Sequence, residues 1–283
     1  SNPNNWMYWF EDTSGALTTA TKYGSAVAYN NRLYFVGGET SGSPGGVTTV
    51  EYTEFNPTGT LAGWTTTGTV ALSTSRFMHS VEVYNGYLYV VGGDSSSSGN
   101  LLNTVEFIKL AADGTFLGSW ETTSSFDGAR RTNGGKFTAI YGAYLYLIGG
   151  CTSVSSGNCQ AVGDEIQIAS IFADGSLGTW STDSATTSDR VGYGLHSWQG
   201  SIYRVGGCSS LDGSGECSAA LSGVSYGEIN PPGEVSTVNI TEPSGSGDCT
   251  GGAPINCDLP TIGDDAGEIG HMLNMSVVLN GFL

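Results

Sequence analysis

Positive charge is scarce in this chain of 283 residues. Lysine and arginine together number 9, against 26 aspartates and glutamates, so the formal net charge is −17. Proteins that bind nucleic acid or anionic membrane surfaces do so through basic footprints, which release counterions or attract lipid headgroups. The composition therefore argues against a nucleic-acid partner and against direct attachment to, or insertion into, a membrane.

Long apolar runs and catalytic motifs are also missing. No apolar run approaches the roughly 18 residues that a membrane-spanning helix needs, and no apolar period of 3.6 residues persists long enough to indicate a sizeable helix. Histidine occurs only at His79, His196 and His271, and the chain contains neither an HExxH nor a GxSxG sequence. These absences favour an all-β protein without a recognisable catalytic constellation.

What the chain does contain is one pattern repeated four times. A β-branched aliphatic residue followed by Gly-Gly recurs at intervals of 55 to 57 residues, and a tryptophan precedes each glycine pair by 26 to 29 residues. The glycine pairs begin at Gly37, Gly92, Gly149 and Gly206, and the tryptophans are Trp9, Trp64, Trp120 and Trp180. Such a period indicates one propeller blade per repeat. We expect the glycines where neighbouring blades crowd together and the indoles packed between blades.

The second copy shows how one repeat divides into strands. Residues 79–84 and 87–91 are rich in β-branched and aromatic side chains, and Asn85-Gly86 joins them. This pair suits the type I′ turn of a two-residue hairpin, so the two runs are strands a and b of a blade. Strand c follows at 104–107, and an Asp113-Gly114 turn leads into strand d, which carries Trp120. Each repeat therefore predicts a four-stranded antiparallel blade.

The hairpin, the Gly-Gly after strand b and the trailing tryptophan resemble the kelch repeat, the propeller unit that galactose oxidase also contains. The resemblance covers residues 6–240 and resumes at His271. It implies an all-β fold, a β-propeller of four-stranded kelch-type blades with four complete blades and a partial or composite fifth. The chain is also similar to the kelch-like repeats of bacterial surface proteins. Kelch propellers serve as binding platforms, as cytoskeletal and adhesion modules and occasionally as enzymes, so the resemblance leaves the function open.

The repeat also predicts how the chain is organised. We expect residues 1–283 to form a single kelch-like propeller domain that is a segment of a longer protein, because the first residues lie just before a strand d and the last lie at the start of a strand b. A closed five-bladed ring and a larger ring both fit this phase. The stretch 241–267 departs from the repeat, and we expect it to be an insertion loop that a disulfide pins.

The six cysteines fall into three close pairs. The pairs are Cys151 with Cys159, Cys208 with Cys217, and Cys249 with Cys257. The first two pairs begin directly after a Gly-Gly, in the loop between strands b and c, where a hairpin-like loop brings its ends within disulfide reach. We predict local disulfides, since zinc would need closer C-x-x-C pairs or nearby histidines. Disulfides indicate an oxidising, extracellular or cell-surface location.

A recurrent cation is the main candidate for a binding site. Arginine stands shortly before strand a at Arg76, Arg131 and Arg190, and His271 occupies the corresponding place in the last copy. Residues that enter strand a lie near one mouth of a propeller channel, where this set could hold a carboxylate or a sulfate. Alternatively, each arginine makes a repeated structural hydrogen bond to a loop carbonyl or to a carboxylate, as kelch arginines do by family resemblance.

Two weaker motifs remain. Asp264, Asp265 and Glu268 offer hard oxygens to Ca²⁺, but their spacing matches no EF-hand loop, so we expect a solvated acidic turn and no cofactor. Asn239 and Asn274 begin N-x-S/T sequons, which carry glycans only if the source of the protein modifies such sites.

We therefore expect a non-enzymatic extracellular module for recognition, adhesion or surface assembly. It would bind a glycan or a protein at the cell exterior through its propeller loops, and assembly with further copies of itself is compatible with this role. The alternative is a secreted carbohydrate-active enzyme, a hydrolase or lyase with a site at the channel mouth. A pair of carboxylates within about 10 Å of each other in a channel-mouth pocket would favour the enzyme.

Overall fold

The structure is a computed structural model of the chain, and it describes residues 15–41, 45–68, 70–183, 190–212, 214–230 and 234–238. Contacts divide the chain into two units, Ser1–Glu242 and Pro243–Leu283, and the described residues all belong to the first. Several predictions fall outside the described residues. They are the composite fifth blade, the insertion 241–267, the Cys249–Cys257 disulfide, the acidic group Asp264, Asp265 and Glu268, the sequons at Asn239 and Asn274, and His271.

All regular structure in the described ranges is β, and no helix occurs there. The strands form four antiparallel four-stranded sheets, which are the four blades of a β-propeller arrangement. Within each blade, strand a pairs with strand b, b with c, and c with d. The predicted all-β fold of four-stranded propeller blades is therefore confirmed.

The strands are numbered in chain order. The first blade consists of β2 (Ser25–Tyr29), β3 (Arg32–Val36), β5 (Val50–Glu54) and β6 (Thr65–Thr66). The second consists of β7 (Ser80–Tyr84), β8 (Tyr87–Val91), β9 (Val105–Leu110) and β10 (Phe116–Thr123). The third consists of β11 (Thr138–Tyr141), β12 (Tyr144–Ile148), β15 (Ile166–Ser170) and β16 (Ser181–Thr182). The fourth consists of β17 (Gly194–Trp198), β18 (Ser201–Val205), β21 (Val224–Asn230) and β22 (Glu234–Val238).

Three two-stranded sheets of the described residues lie outside the blades. They pair β1 (Thr21–Lys22) with β4 (Glu39–Thr40), β13 (Cys151–Ser155) with β14 (Asn158–Val162), and β19 (Cys208–Leu211) with β20 (Cys217–Ala220). The last two are hairpins inserted between strands b and c of the third and fourth blades. They extend the blades on the side where strand a begins, which is the side that carries the candidate site.

The hairpins between strands a and b close as the sequence predicts. Asn85 and Gly86 have φ angles of 48° and 77°, and both values must be positive in a type I′ turn. The pairs Asn30-Asn31 and Gln199-Gly200 also have positive φ at both residues. The turn composition therefore sets the register in which strand a meets strand b, and with it the side chains that face the next blade.

The hydrophobic core is divided into layers between adjacent blades. One layer joins β3 and β5 to β8 and β9 and includes Trp120, which is buried. The next joins β8 and β9 to β12 and β15, with Trp180 packed at its edge, and a third joins β12 and β15 to β17 and β18. The indole of Trp180 donates a hydrogen bond to the Ser124 carbonyl (2.9 Å). Both indoles pack as predicted, and Trp9 lies outside the described residues.

The glycine pairs lie where one blade meets the next. A Cβ atom on Gly37 would stand 2.5 Å from the Arg76 carbonyl oxygen and 2.8 Å from the His79 ring. A Cβ atom on Gly92 would stand 2.6 Å from a carbonyl oxygen of the third blade and 3.0 Å from the Phe137 ring. Both glycines also have positive φ angles, 59° and 61°, a conformation in which a side chain is strained. The predicted crowding against the neighbouring blade is confirmed.

A tyrosine in strand b ties each of the first two blades to its successor. The hydroxyl of Tyr34 donates to the carbonyl of Gly114 (2.5 Å), and that of Tyr89 donates to the carbonyl of Gly175 (2.9 Å). Both acceptors belong to the Asp-Gly turn between strands c and d of the following blade. In each turn the aspartate oxygen also accepts the backbone N–H two residues later, which fixes the turn. The turns are therefore contacts between blades as well as connections within them.

Candidate functional site

The segments that lead into strand a of the four blades meet around one cavity of about 670 Å³, a volume within the range of about 300–1,000 Å³ that ligand sites occupy. These segments contribute residues 23–25, Met78, 132–135 and 191–192 to its lining. The cavity therefore lies at one end of the inner strands and is shared by all four described blades. A site of this kind forms only when the blades are assembled.

Backbone hydrogen bonds join the first three of these segments. The Met78 N–H donates to the Tyr23 carbonyl (2.8 Å), and the Thr132 N–H donates to the Met78 carbonyl (2.7 Å). Tyr23 and Met78 have φ angles of 59° and 51°, in the left-handed region that residues other than glycine rarely adopt. Residues in such conformations cluster at functional sites. The Tyr23 side chain is 50% exposed, so its aromatic ring is accessible beside the cavity.

The third blade adds residues to the cavity rim. His79, Phe137 and Tyr193 occupy equivalent positions, because each packs against the Gly-Gly of its own blade or the preceding blade. Phe77 and Arg131 are matching residues of the second and third blades, since each forms a β-bridge to the residue that follows a Gly-Gly. In the second blade one residue separates Phe77 from His79, whereas in the third blade the five residues 132–136 separate Arg131 from Phe137. The extra residues bring Asn133 and two glycines into the cavity lining. Sequence reasoning missed them, although an alignment of the four repeats shows the additional length.

Two disulfide hairpins form a wall of the cavity. Cys151–Cys159 closes the hairpin β13–β14, and Cys208–Cys217 closes β19–β20, with Cα atoms 5.8 and 5.7 Å apart. Asn158 of the first hairpin and both cysteines of the second line the cavity. The hairpins pack together, since a Cβ atom on Gly215 would lie 2.6 Å from the Cβ atom of Asn158. Two of the predicted disulfides are therefore confirmed, in the predicted loops.

The loops between strands b and c contact one another from blade to blade. The Gly46 N–H donates to the Ser95 carbonyl (3.4 Å), which joins the loops of the first and second blades. A Cβ atom on Gly99 would stand 3.0 Å from the Val154 side chain, which joins the loops of the second and third blades. We call these four loops the collar. The collar consists of the described residues within 39–49, 94–103, 151–162 and 208–220.

Two of the predicted arginines bind groups of their own blades. Arg76 is fully buried, donates to the Gly92 carbonyl (2.9 Å) and forms an ion pair with Glu106. Arg190 donates to the Gly206 carbonyl (3.4 Å). Neither side chain lines the cavity. Such contacts fit the alternative interpretation, and a role of either arginine in ligand binding stays a prediction.

In the third blade, Arg130 occupies the equivalent position. Its guanidinium donates to the Gly149 carbonyl (3.0 Å) and pairs with Glu165 (3.1 Å), just as Arg76 bonds to the first glycine of its pair and to a carboxylate. Arg131 therefore does not share the position that the repeat suggested. Two adjacent arginines allow either alignment, and the extra residues after Arg131 shift the phase of the repeat.

Arg131 does reach the cavity lining, but its charge is already paired. The side chain is buried, and it donates to Asp94 (3.1 Å) and to the Gly157 carbonyl (2.6 Å). Asp94 is also buried and accepts the backbone N–H groups of Ser96 (3.1 Å) and Asn100 (2.7 Å). Burial lowers the pKa of the Arg131 guanidinium, and Asp94 acts in the opposite direction. Arg131 thus joins the second and third loops of the collar, and a role in ligand binding stays a prediction.

Acidic groups are sparse at the cavity. Among the described lining residues, Glu216 alone carries a carboxylate, whereas the usual chemistry of glycoside hydrolysis needs two. No group of three or more potential metal ligands occurs within the described ranges. The described ranges likewise contain no helix that could span a membrane. The enzyme alternative stays a prediction.

Comparisons with known proteins agree with this architecture. The Kelch motif family matches residues 75–108, which run from the entry of the second blade into its strand c. Among solved structures, that of YjhT aligns with a TM-score of 0.53 and 14% sequence identity, over 77% of this chain and 70% of that chain. No curated protein matches the chain. At this level of identity the structural likeness bears on the fold alone.

Proposed function

We propose that this kelch-repeat β-propeller is a non-enzymatic recognition module that works outside the cell and binds its ligand in the cavity that the collar helps to line. The observation that carries the proposal is a cavity of ligand size to which all four described blades contribute. A kelch propeller suggests binding or recognition, while the site decides the ligand. The two disulfides of the collar are compatible with an oxidising exterior.

The lining is suited to a glycan or a short protein segment. Glycines make up seven of the nineteen lining residues, so these positions of the cavity wall carry no side chain. Asn133 and Asn158 add amide groups that both donate and accept hydrogen bonds. Tyr23 adds an accessible ring. A few polar groups beside an aromatic surface are the usual composition of a specific binding site.

The collar supports recognition by holding the cavity walls in place before a ligand arrives. The two disulfides close their hairpins, and the Arg131–Asp94 pair fixes one hairpin to the loop of the preceding blade. A site that is already ordered loses less conformational entropy on binding. Adhesion and surface assembly both require loops that keep their shape, so either role is compatible with this arrangement.

A cavity-filling substitution tests the proposed site. Asn133→Trp places an indole in the cavity, and Thr122→Trp places one on the exposed outer strand β10 as a matched control. The full chain and both variants are applied to printed arrays of glycans and of peptides, and their melting temperatures are compared. We expect the wild type and Thr122→Trp to bind the same probes and Asn133→Trp to lose them, with melting temperatures within a few degrees of one another.

Three results would contradict the proposal. The first is binding by Asn133→Trp at the wild-type level, which would place the site elsewhere. The second is an absence of binding to every probe on both arrays. For the third, the same glycans are incubated with the wild type and examined by mass spectrometry, and cleavage products would support the carbohydrate-active enzyme instead.

A further inference from the structure

We infer that the cavity selects uncharged saccharides and disfavours those that carry carboxylate or sulfate groups. This inference rests on the proposed function and names the ligand class of the same site. It follows from the arrangement of charge around the cavity, where the cation in the lining and its charged neighbours bind groups of the protein and the carboxylate of Glu216 forms no ion pair with another described residue.

Five described cations lie in the cavity lining or directly beside a lining residue in the chain. Four of them form ion pairs, which are Lys22–Glu39 (3.2 Å), Arg130–Glu165 (3.1 Å), Arg131–Asp94 (3.1 Å) and Lys136–Glu82 (2.7 Å). The fifth, Arg190, donates to the Gly206 and Gly223 carbonyls and is not a lining residue. The two lysines directly adjoin the lining residues Tyr23 and Gly135. Burial raises the pKa of the Glu82 carboxyl, and Lys136 and Thr138 act in the opposite direction. The described cations therefore offer little uncompensated charge to an anionic ligand.

The Arg131–Asp94 pair cannot readily change partners. Both side chains are at most 1% exposed. Asp94 is not a lining residue, and it is held by two backbone N–H groups as well as by the guanidinium. A ligand carboxylate that recruited Arg131 would leave Asp94 buried with its charge unpaired, which is strongly unfavourable. Arg131 is therefore a positioning residue of the collar and not an anion receptor.

Glu216 adds negative charge at the same place. This exposed residue of the second hairpin belongs to the cavity lining, and it forms no ion pair with another described residue. The chain as a whole carries a formal charge of −17. An anionic ligand that enters the cavity is thus repelled by a nearby carboxylate and by the field of the whole protein.

The remaining lining favours a saccharide over a basic peptide. A cationic peptide would need several unpaired carboxylates, and the described lining supplies Glu216 alone. The amides of Asn133 and Asn158 both donate and accept hydrogen bonds, which suits hydroxyl groups that do the same. The Lys22 ammonium lies over the half-exposed ring of Tyr23, 5.0 Å from its centroid, and the C–H face of a sugar ring can pack against the rest of the exposed ring surface.

The test uses pairs of oligosaccharides that share a backbone and differ in charge, such as an oligogalacturonate and its methyl ester. A printed array of such pairs, with sulfated members and an oligolysine peptide, is probed with the full chain at 20 mM and 500 mM NaCl. At low salt we expect each uncharged member to bind about fivefold or more tightly than its acidic partner, since one repulsive contact is worth about that factor. At 500 mM NaCl the ratio is expected to fall, because the screening length there is below about 5 Å.

A charge-neutralising variant locates the effect. Glu216→Gln is expected to reduce the discrimination against acidic members, whereas Glu121→Gln, the same substitution on the exposed outer strand β10, is expected to leave it unchanged. Asp94→Asn frees Arg131 and is expected to improve binding of acidic members. If this buried variant does not fold, Glu216→Gln alone decides the outcome.

The possible failures are distinguishable. Acidic members that bind more tightly than their uncharged partners, and lose binding in Asn133→Trp, would overturn this inference and leave the proposed function standing. If oligolysine binds more tightly than any saccharide, the inference is also overturned and the proposed function still stands. If no probe binds on this array or on the peptide array, the proposed function fails and the inference fails with it.

Discussion

His79 makes the stability of this propeller sensitive to acid. The side chain is 1% exposed and lies between the glycine pairs of the first and second blades, and neither ring nitrogen forms a hydrogen bond of good geometry with a described residue. Burial lowers the pKa of His79 to about 3, the charge of Arg76 acts in the same direction, and the Val36 carbonyl opposes them weakly. The imidazole is therefore neutral in the folded protein at any ordinary pH.

The sign and the size of the effect follow from the difference between the pKa of His79 in the folded protein, about 3, and its value of 6.5 in the unfolded chain. Below pH 6.5 the unfolded chain takes up a proton on His79, and the folded protein does not until the pH approaches 3. The stability that neutral His79 contributes is therefore fully present above the unfolded pKa of 6.5. Below that value it falls by about 1.4 kcal/mol for each pH unit. Between pH 7 and pH 5 this one group should lower the free energy of unfolding by about 2 kcal/mol.

The assay is urea denaturation of the wild type and His79→Phe at pH 7 and pH 5. Phenylalanine is a conservative choice, because Phe137 occupies the equivalent place in the third blade. From pH 7 to pH 5, we expect the free energy of unfolding of the variant to rise by about 2 kcal/mol relative to that of the wild type. His196→Phe, at an exposed position on β17, serves as the control for replacing an imidazole by a phenyl ring. Equal stability differences between His79→Phe and the wild type at both pH values would refute the reasoning.

Three further predictions address two contacts between blades and one disulfide of the collar. In urea denaturation, Gly92→Ala should lower the free energy of unfolding by about 3 kcal/mol or more. The control is Gly142→Ala, because Gly142 has a similar φ of 57° but no atom within 4 Å of the added Cβ; this variant should lose only the backbone strain of about 1–2 kcal/mol. Equal losses in the two variants would contradict the crowding at Gly92. Tyr89→Phe removes the hydroxyl that binds the next blade and should lower the free energy of unfolding by about 1 kcal/mol. Replacing Cys151 and Cys159 together by serine should lower it by about 2.5 kcal/mol, and an unchanged value would mean that the loop keeps its shape without the disulfide.

The blades could be predicted because their determinants are local. The Asn85-Gly86 turn depends on the φ angles of two residues, and β8 begins and ends where the sequence predicted strand b. Strand c was predicted too short: β9 continues to Leu110 beyond the predicted end at residue 107. The exposed Lys109 interrupts the apolar run there, although the residues on either side of it are buried between blades.

The candidate site could not be predicted as fully, because it depends on contacts between distant parts of the chain. The partner of Arg131 is Asp94, which belongs to another blade, and no local pattern distinguishes Arg131 from Arg130. Tyr23 lies at the cavity through a left-handed backbone conformation, which a bulky side chain does not signal in sequence. Asn158 faces the cavity only because two disulfide hairpins pack against each other.

The collar also restricts how this protein can acquire new ligands. Its loops touch at Gly46, Gly99 and Gly215, where little room is left for a side chain, so lengthening one loop would push its neighbour out of place. Divergence in recognition would then proceed either through matched changes in adjoining loops or through exchanges of single inward-facing groups such as Asn158. In both routes the blades underneath can stay as they are, and one scaffold could serve a series of related receptors.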